Sequence, residues 1–116
     1  MRVRAVARSI RMSPRKVRLV TDAVKGMKVA DALAALSFLP KAAAVPVAKV
    51  VKSAASNAEN NFQLDPDDLY IAHIVADPGP TLKRFRPKAR GRVGRILKRS
   101  THITVEVEER ESTVGA

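Results

Sequence analysis

Two periodicities run along this chain and divide it into strands and helices. Residues 2–10 alternate, with Arg2, Arg4 and Arg8 on one face of a period-two pattern, and this predicts a strand. Ser13-Pro14 follows, an N-cap residue with proline at the first helical position. Val17, Val20 and Val24 then recur at helical spacing up to Gly26, a natural terminator just past a helix end. A short second helix is predicted from Val29 to about Phe38, packing Val29, Leu33 and Leu36 and stopping before Pro40. The third helix has the clearest pattern: Val47, Val50, Val51, Ala54, Ala55 and Ala58 form one apolar stripe, ending around Asn60-Asn61. Pro46 complicates its start, because an interior proline costs about 3 kcal/mol. Either the helix begins near Pro46, or the segment from Lys41 is a separate or kinked turn. Beyond the acidic stretch Asp65-Pro66-Asp67-Asp68, Leu69–Ala76 reads as a buried strand broken by Asp77-Pro78-Gly79-Pro80. Ile103, Val105 and Val107 alternate with Thr104, Glu106 and Glu108, a strand with one wet face.

These elements predict an α+β domain: three helices packed on a small antiparallel sheet, with a long protruding basic β-hairpin. One domain over residues 1–110 is expected, the hairpin taking about 80–102, with a frayed tail at 111–116.

Composition narrows the chemistry. At 116 residues and 46% hydrophobic, the chain has the apolar material for one packed interior. It contains no cysteine, which excludes disulfides, thiolate zinc sites and cysteine nucleophiles. No apolar run approaches the ~20 residues of a membrane span, and the basic start lacks an apolar signal core. The formal net charge is +11, and its placement says more than its total. Arg2, Arg4, Arg8, Arg11, Arg15, Lys16 and Arg18 fall in one window without an acid. Lys83, Arg84, Arg86, Lys88, Arg90, Arg92, Arg95, Lys98 and Arg99 fall in a second, again without an acid. Two such windows suit a polyanionic partner.

The second window lies between two predicted strands, so a hairpin is the natural connection, with glycines in Ala89-Arg90-Gly91-Arg92-Val93-Gly94 for its turn. Arms of about nine residues at ~3.3 Å each reach roughly 30 Å. That exceeds the ~13 Å radius of gyration of a compact domain of this length, so the arm must project. A lone two-stranded ribbon is marginal in water. The unpaired cations favour an arm that orders when phosphates neutralise it over a permanently solvated loop. Phe85 alone among aromatics sits in this tract, where it can stack on a base or pack at the hairpin base. That scarcity argues against base-stacking platforms and for arginine contacts with phosphates and folded RNA.

Other constellations carry less. Gly91-Arg92-Val93-Gly94 matches a backbone-clamping G-x-x-G loop, but no amphipathic helix flanks it, and a turn explains it. The cluster of Asp65, Asp67 and Asp68 lacks the glycine and distal glutamate of a calcium loop. His73 and His102 lie in separate strands with no ligand pattern around them. No phosphate loop or nucleophile elbow is present, and nothing proposes an enzyme, a metal or a cofactor.

Longer stretches resemble one family. Ile10-Arg11-Met12-Ser13-Pro14-Arg15-Lys16-Val17-Arg18-Leu19-Val20 resembles the first-helix signature of the bacterial large-subunit ribosomal protein L-twenty-two family. Ser53-Ala54-Ala55-Ser56-Asn57-Ala58-Glu59-Asn60-Asn61 resembles the end of its long helix. Gly79-Pro80-Thr81-Leu82-Lys83-Arg84, Arg86-Pro87-Lys88-Ala89-Arg90-Gly91-Arg92 and Lys98-Arg99-Ser100-Thr101-His102-Ile103-Thr104-Val105 resemble its hairpin and last strand. The resemblance implies a structural protein of the large ribosomal subunit, acting in the cytoplasm within the ribosome and not as a homo-oligomer. It further implies early binding to 23S-type rRNA, a globular part near the polypeptide exit beside other large-subunit proteins, and a hairpin lining the exit tunnel. Lys88, Ala89, Arg90, Gly91, Arg92 and Val93 would then form the tip that the nascent chain passes, near where macrolides bind. Two rivals share the charge. A nucleoid-type DNA binder needs a recognition helix or dimerising heptads, which are lacking. A membrane-surface peptide needs bulky apolar residues on a basic helix, whereas Val47–Ala58 is alanine-rich with only Lys49 and Lys52.

Overall fold

The computed structural model describes residues 2–88 and 92–110, with 82–88 and 92–97 as backbone. The order of elements is β1 (Arg2–Ile10), α1 (Pro14–Val24), α2 (Val29–Phe38), α3 (Ala44–Phe62), β2 (Leu69–Pro78), β3 (Leu82–Lys88), β4 (Arg92–Lys98) and β5 (Thr101–Glu109). A single turn of 3-10 helix at Pro66–Asp68 precedes β2. This is the expected α+β architecture.

Local chemistry starts and stops α1. The Ser13 hydroxyl accepts from the Lys16 amide and Pro14 opens α1, while Gly26 sits at φ 79° just beyond its end. The Pro46 question resolves in favour of a start at Ala44, preceded by a turn in which the Ala44 amide donates to the Lys41 carbonyl. Pro46 therefore lies in the first helical turn, where its missing N–H has no intrahelical partner to lose. The other end runs to Phe62, past Asn60-Asn61, and closes on Gln63 in the left-handed region at φ 56°.

The body's sheet has the order β1-β5-β2, all antiparallel, with Val3↔Val107 and Ala5↔Val105 on one side of β5 and Ile71↔Val107 and Ile74↔Val105 on the other. One face packs on the helices. Val17, Val20 and Val24 of α1 and Val47, Val51, Ala54 and Ala58 of α3 meet Ile71, Ile103, Val105 and Val107, all fully buried. The alanines of α3 leave room for close approach to the strands. In the predicted stripe Ala55 is only partly buried, and in α2 Ala32 is fully buried where Leu33 is partly so.

Both outer strands carry an irregularity that period-two reading does not foresee. In β2 the register shifts between Ile71 and His73, so Ile74 and Ala76 face the core in place of His73 and Val75. The strand also continues to Pro78, beyond the predicted Ala76. In β1 the shift falls between Ala7 and Ile10, where Ser9 adopts φ 56°, a costly conformation for a residue with a side chain. Its amide donates to His102 Nδ1 at 2.9 Å, which holds the turned backbone against β5.

The remaining two strands form a separate antiparallel ribbon, paired from Leu82↔Lys98 to Lys88↔Arg92. Residues 89–91 of the predicted turn and tip, and the expected frayed tail at 111–116, lie outside the described residues. In the chain the ribbon lies between β2 and β5, separated from them by a break at 79–81 and 99–100. There the Gly79 amide donates to the Ser100 carbonyl at 3.0 Å, and the Ser100 hydroxyl donates to the Pro80 carbonyl at 2.7 Å. A Cβ at Gly79 would stand 2.6 Å from the Ser100 hydroxyl, so a larger residue there would force that hydroxyl off the Pro80 carbonyl. The radius of gyration is 17.7 Å against the ~13 Å of a compact domain this size. Principal extents of 71 × 26 × 17 Å accommodate a ribbon standing away from the body.

Candidate nucleic-acid interface

The seven cations of the first window take different positions. Arg4 and Arg8 are exposed on β1 away from the helices, and Arg15 is exposed on α1. Two members have structural work that sequence alone did not reveal. Arg2 reaches Glu106 at 3.3 Å and Glu108 at 3.5 Å. Arg18 Nε donates to the Ala76 carbonyl at 3.0 Å, tying α1 to β2. Arg110 donates to Glu108 at 3.0 Å and lies over the Tyr70 ring at 5.0 Å. That hydrogen bond, joined by the charges of Arg110 and Arg2, holds the Glu108 carboxyl below its ordinary value against the opposing effect of desolvation. Cations at this end of the sheet are thus compensated by carboxylates.

At the opposite end they are not. Arg11 and Lys16, from the first window, meet Lys98 and Arg99, from the second, around a groove of about 1090 Å³ at the root of the ribbon. Lys41 joins them from the loop before α3, so five cations and no acid line the groove among the described residues. All five are exposed. The junction that gathers them is well built. Thr101 is fully buried, and its hydroxyl donates to the Met12 carbonyl at 2.7 Å, pinning the β1–α1 corner onto the start of β5. The Ser9–His102 bond fixes the same corner one residue further on.

Like charges at close range repel, and an isolated domain gains nothing by gathering them. An anionic partner turns that cost into affinity, because arginine and lysine pair with phosphate by charge-assisted hydrogen bonds. The ribbon adds Lys83, Arg84, Arg86 and Lys88 in β3 and Arg92 and Arg95 in β4, while Arg90 lies outside the described residues. Of the six residues assigned to the tip, Lys88 ends β3, Arg92 and Val93 open β4, and Ala89, Arg90 and Gly91 are outside the described residues.

The minor constellations resolve into structure. The Asp65 carboxylate accepts from the Asp67 amide at 2.9 Å and caps the 3-10 turn. Gly94 lies within β4, so its G-x-x-G spacing belongs to a β ribbon. His102 acts as a hydrogen-bond acceptor for the Ser9 corner. No cluster of His, Cys, Asp or Glu with metal-binding geometry occurs among the described residues, nor any helix long and apolar enough to cross a membrane.

Residues 5–108 match the family described as Ribosomal protein L22p/L17e. The chain belongs to this family. A large ribosomal subunit protein uL22 of Clostridium novyi (strain NT) is 56% identical over 110 residues, covering 95% of this chain and 99% of that protein. The protein of the same name from Herpetosiphon aurantiacus is 53% identical over 111 residues, 96% of this chain and 98% of that protein. The matched span contains α1 to α3, both sheets and the groove between them, all but the first residues of β1 and the last of β5. Family membership makes the chain a structural ribosomal protein and not an enzyme.

Proposed function

We propose that the chain is a structural constituent of the large ribosomal subunit that binds 23S-type rRNA early in assembly. In this reading it works in the cytoplasm, with the body near the polypeptide exit and beside other large-subunit proteins. The ribbon runs inward through rRNA, and its tip, Lys88–Val93, stands in the tunnel wall where the nascent chain passes. The observation that carries the reading is the meeting of the two acid-free basic windows at the ribbon root, in a chain of this family. Basic residues run from Arg11 and Lys16 through Lys98 and Arg99 at the groove to the strands of the ribbon. Its contacts are chiefly with phosphates, which give affinity and register.

Salt dependence tests this directly. If six to ten cations meet phosphates, affinity for large-subunit rRNA falls about a thousandfold or more between 50 and 200 mM salt. A flat log–log salt plot refutes the reading, as does equal preference for duplex DNA of matched phosphate content. Replacing residues 84–98 with an Asn-Gly turn should weaken rRNA binding while leaving the melting temperature of the free protein nearly unchanged. The ribbon has few apolar pairs to offset roughly 1–2 kcal/mol per residue of backbone ordering, so the free body owes it little. Subunit peaks from a sucrose gradient should contain the full chain.

A further inference from the structure

The groove at the ribbon root has two kinds of surface. Its described lining includes the cationic Arg11, Lys16, Lys41, Lys98 and Arg99. It also includes the apolar Met12, Leu19, Ala43 and Pro80. Leu19 is the telling residue. It sits on α1 three positions beyond Lys16 and is 59% exposed, although its helix buries Val17, Val20 and Val24 elsewhere. A surface that met only the phosphates of a regular duplex would have no use for a large apolar side chain amid five cations. Nor does a paired helix offer anything that enters a groove, since its bases are stacked inside and its grooves meet only edges.

We infer that this groove receives an unstacked nucleotide of the RNA, its base against Leu19, Met12 and Pro80 and its flanking phosphates on the surrounding cations. The inference rests on the RNA-binding reading and names what the ribbon root takes from that partner. The groove's volume of about 1090 Å³ stands at the upper limit of small-ligand sites, which run from about 300 to 1,000 Å³, so a nucleotide can be accommodated. The chemistry suits it as well. Splayed-out bases are held by stacking on aromatic rings or on guanidinium planes, and Arg11 and Arg99 provide such planes in the described lining. Lys41 takes part although it lies outside both basic windows, which is why charge runs along the chain do not find it.

The test uses the full chain and two fluorescein-labelled RNA duplexes of equal phosphate number, one fully paired and one with a single bulged adenosine. At matched salt the bulged RNA should bind about tenfold more tightly, the range that base stacking gives. Leu19→Ser changes no charge and alters an exposed position, so the fold should persist by circular dichroism. It should abolish the preference for the bulge and leave affinity for the paired duplex unchanged. Lys41→Ala should weaken both RNAs, because it removes a phosphate contact. Equal binding of the two duplexes by the unmodified protein overturns the inference, and so does a bulge preference that survives Leu19→Ser. Leu19-dependent binding of a polyglutamate peptide in place of the bulge would assign the groove to an acidic protein segment and also overturn it. These failures stay distinct from failure of the functional proposal, which is decided by the salt slope on large-subunit rRNA.

Discussion

Thr101 offers a clean measurement of what the ribbon root contributes to stability. Its side chain is fully buried at the first position of β5, and its hydroxyl donates to the Met12 carbonyl at 2.7 Å. Thr101→Val keeps the shape of the side chain and removes only the donor. No cavity opens, so the cost is that of a buried carbonyl deprived of its partner, about 1–3 kcal/mol. Domains of this size hold only about 5–15 kcal/mol in total, so the change is a visible fraction. With a shift of roughly 4–8 °C per kcal/mol, the melting temperature should fall by roughly 5–20 °C. Thr101→Ser makes the complementary change, keeping the donor and losing a methyl group worth about 1 kcal/mol. Urea unfolding followed by circular dichroism separates the cases: the midpoint should drop in both variants while the slope stays constant. A Thr101→Val protein as stable as the parent would refute the reasoning. It would mean that the β1–α1 corner relaxes or admits water at no cost, and that the bond to Met12 does not hold the corner in place.

The core and the sheet's charged end make separate predictions. Ala54 is fully buried against the strands, so Ala54→Glu leaves an unpaired charge inside and should destabilise by at least about 3 kcal/mol, whereas Ser53→Glu on the exposed side should stay within about 0.5 kcal/mol. Equal effects in thermal melts would show that the helix is rotated from the face described. Glu108 has its carboxyl held below the ordinary value of 4.5 by the hydrogen bond from Arg110 and then by Arg2. A lowered folded-state value stabilises above the unfolded one, and that contribution is lost as pH falls through the folded one. Glu108→Gln should therefore flatten the acid limb of a stability–pH profile below about pH 4.5 and leave its slope near neutrality unchanged. An acid limb identical to the parent's would rule out this pair as its source.

Much of the body was legible because its signals are local. Ser13-Pro14 and Gly26 bracket α1, and the stripe from Val47 to Ala58 orients α3, each within one helix's length of chain. The bulges escaped because nothing in the run Ile71-Ala72-His73-Ile74 marks which residue is extra. Only the competition between His73 and Ile74 for the core decides it. The cationic windows were legible as windows, but not in their roles. Arg2 is drawn to Glu106 and Glu108, and Arg18 to a carbonyl of β2, by neighbours distant in sequence. The groove combines the β1–α1 corner, the loop at Lys41 and both ends of the ribbon, so its existence is a property of topology. His102 is the residue most plainly missed. Its partner is a backbone amide in an unusual conformation, which no side-chain motif announces.

The break in strand pairing at Gly79 and Ser100 separates two histories that a continuous ladder would bind together. Above it, the ribbon's sequence answers to its partner; below it, the body's sequence answers to its own packing. A substitution in the arm leaves the packing of the core untouched, so its effect should fall on what the arm binds and not on the stability of the body. The price is concentrated in a few residues. A side chain at Gly79 would crowd the Ser100 hydroxyl, and Ser100 supplies both that hydroxyl and a carbonyl to the crossing, so the joint should tolerate substitution poorly. A graft that moves the ribbon to another sheet would have to bring this joint with it.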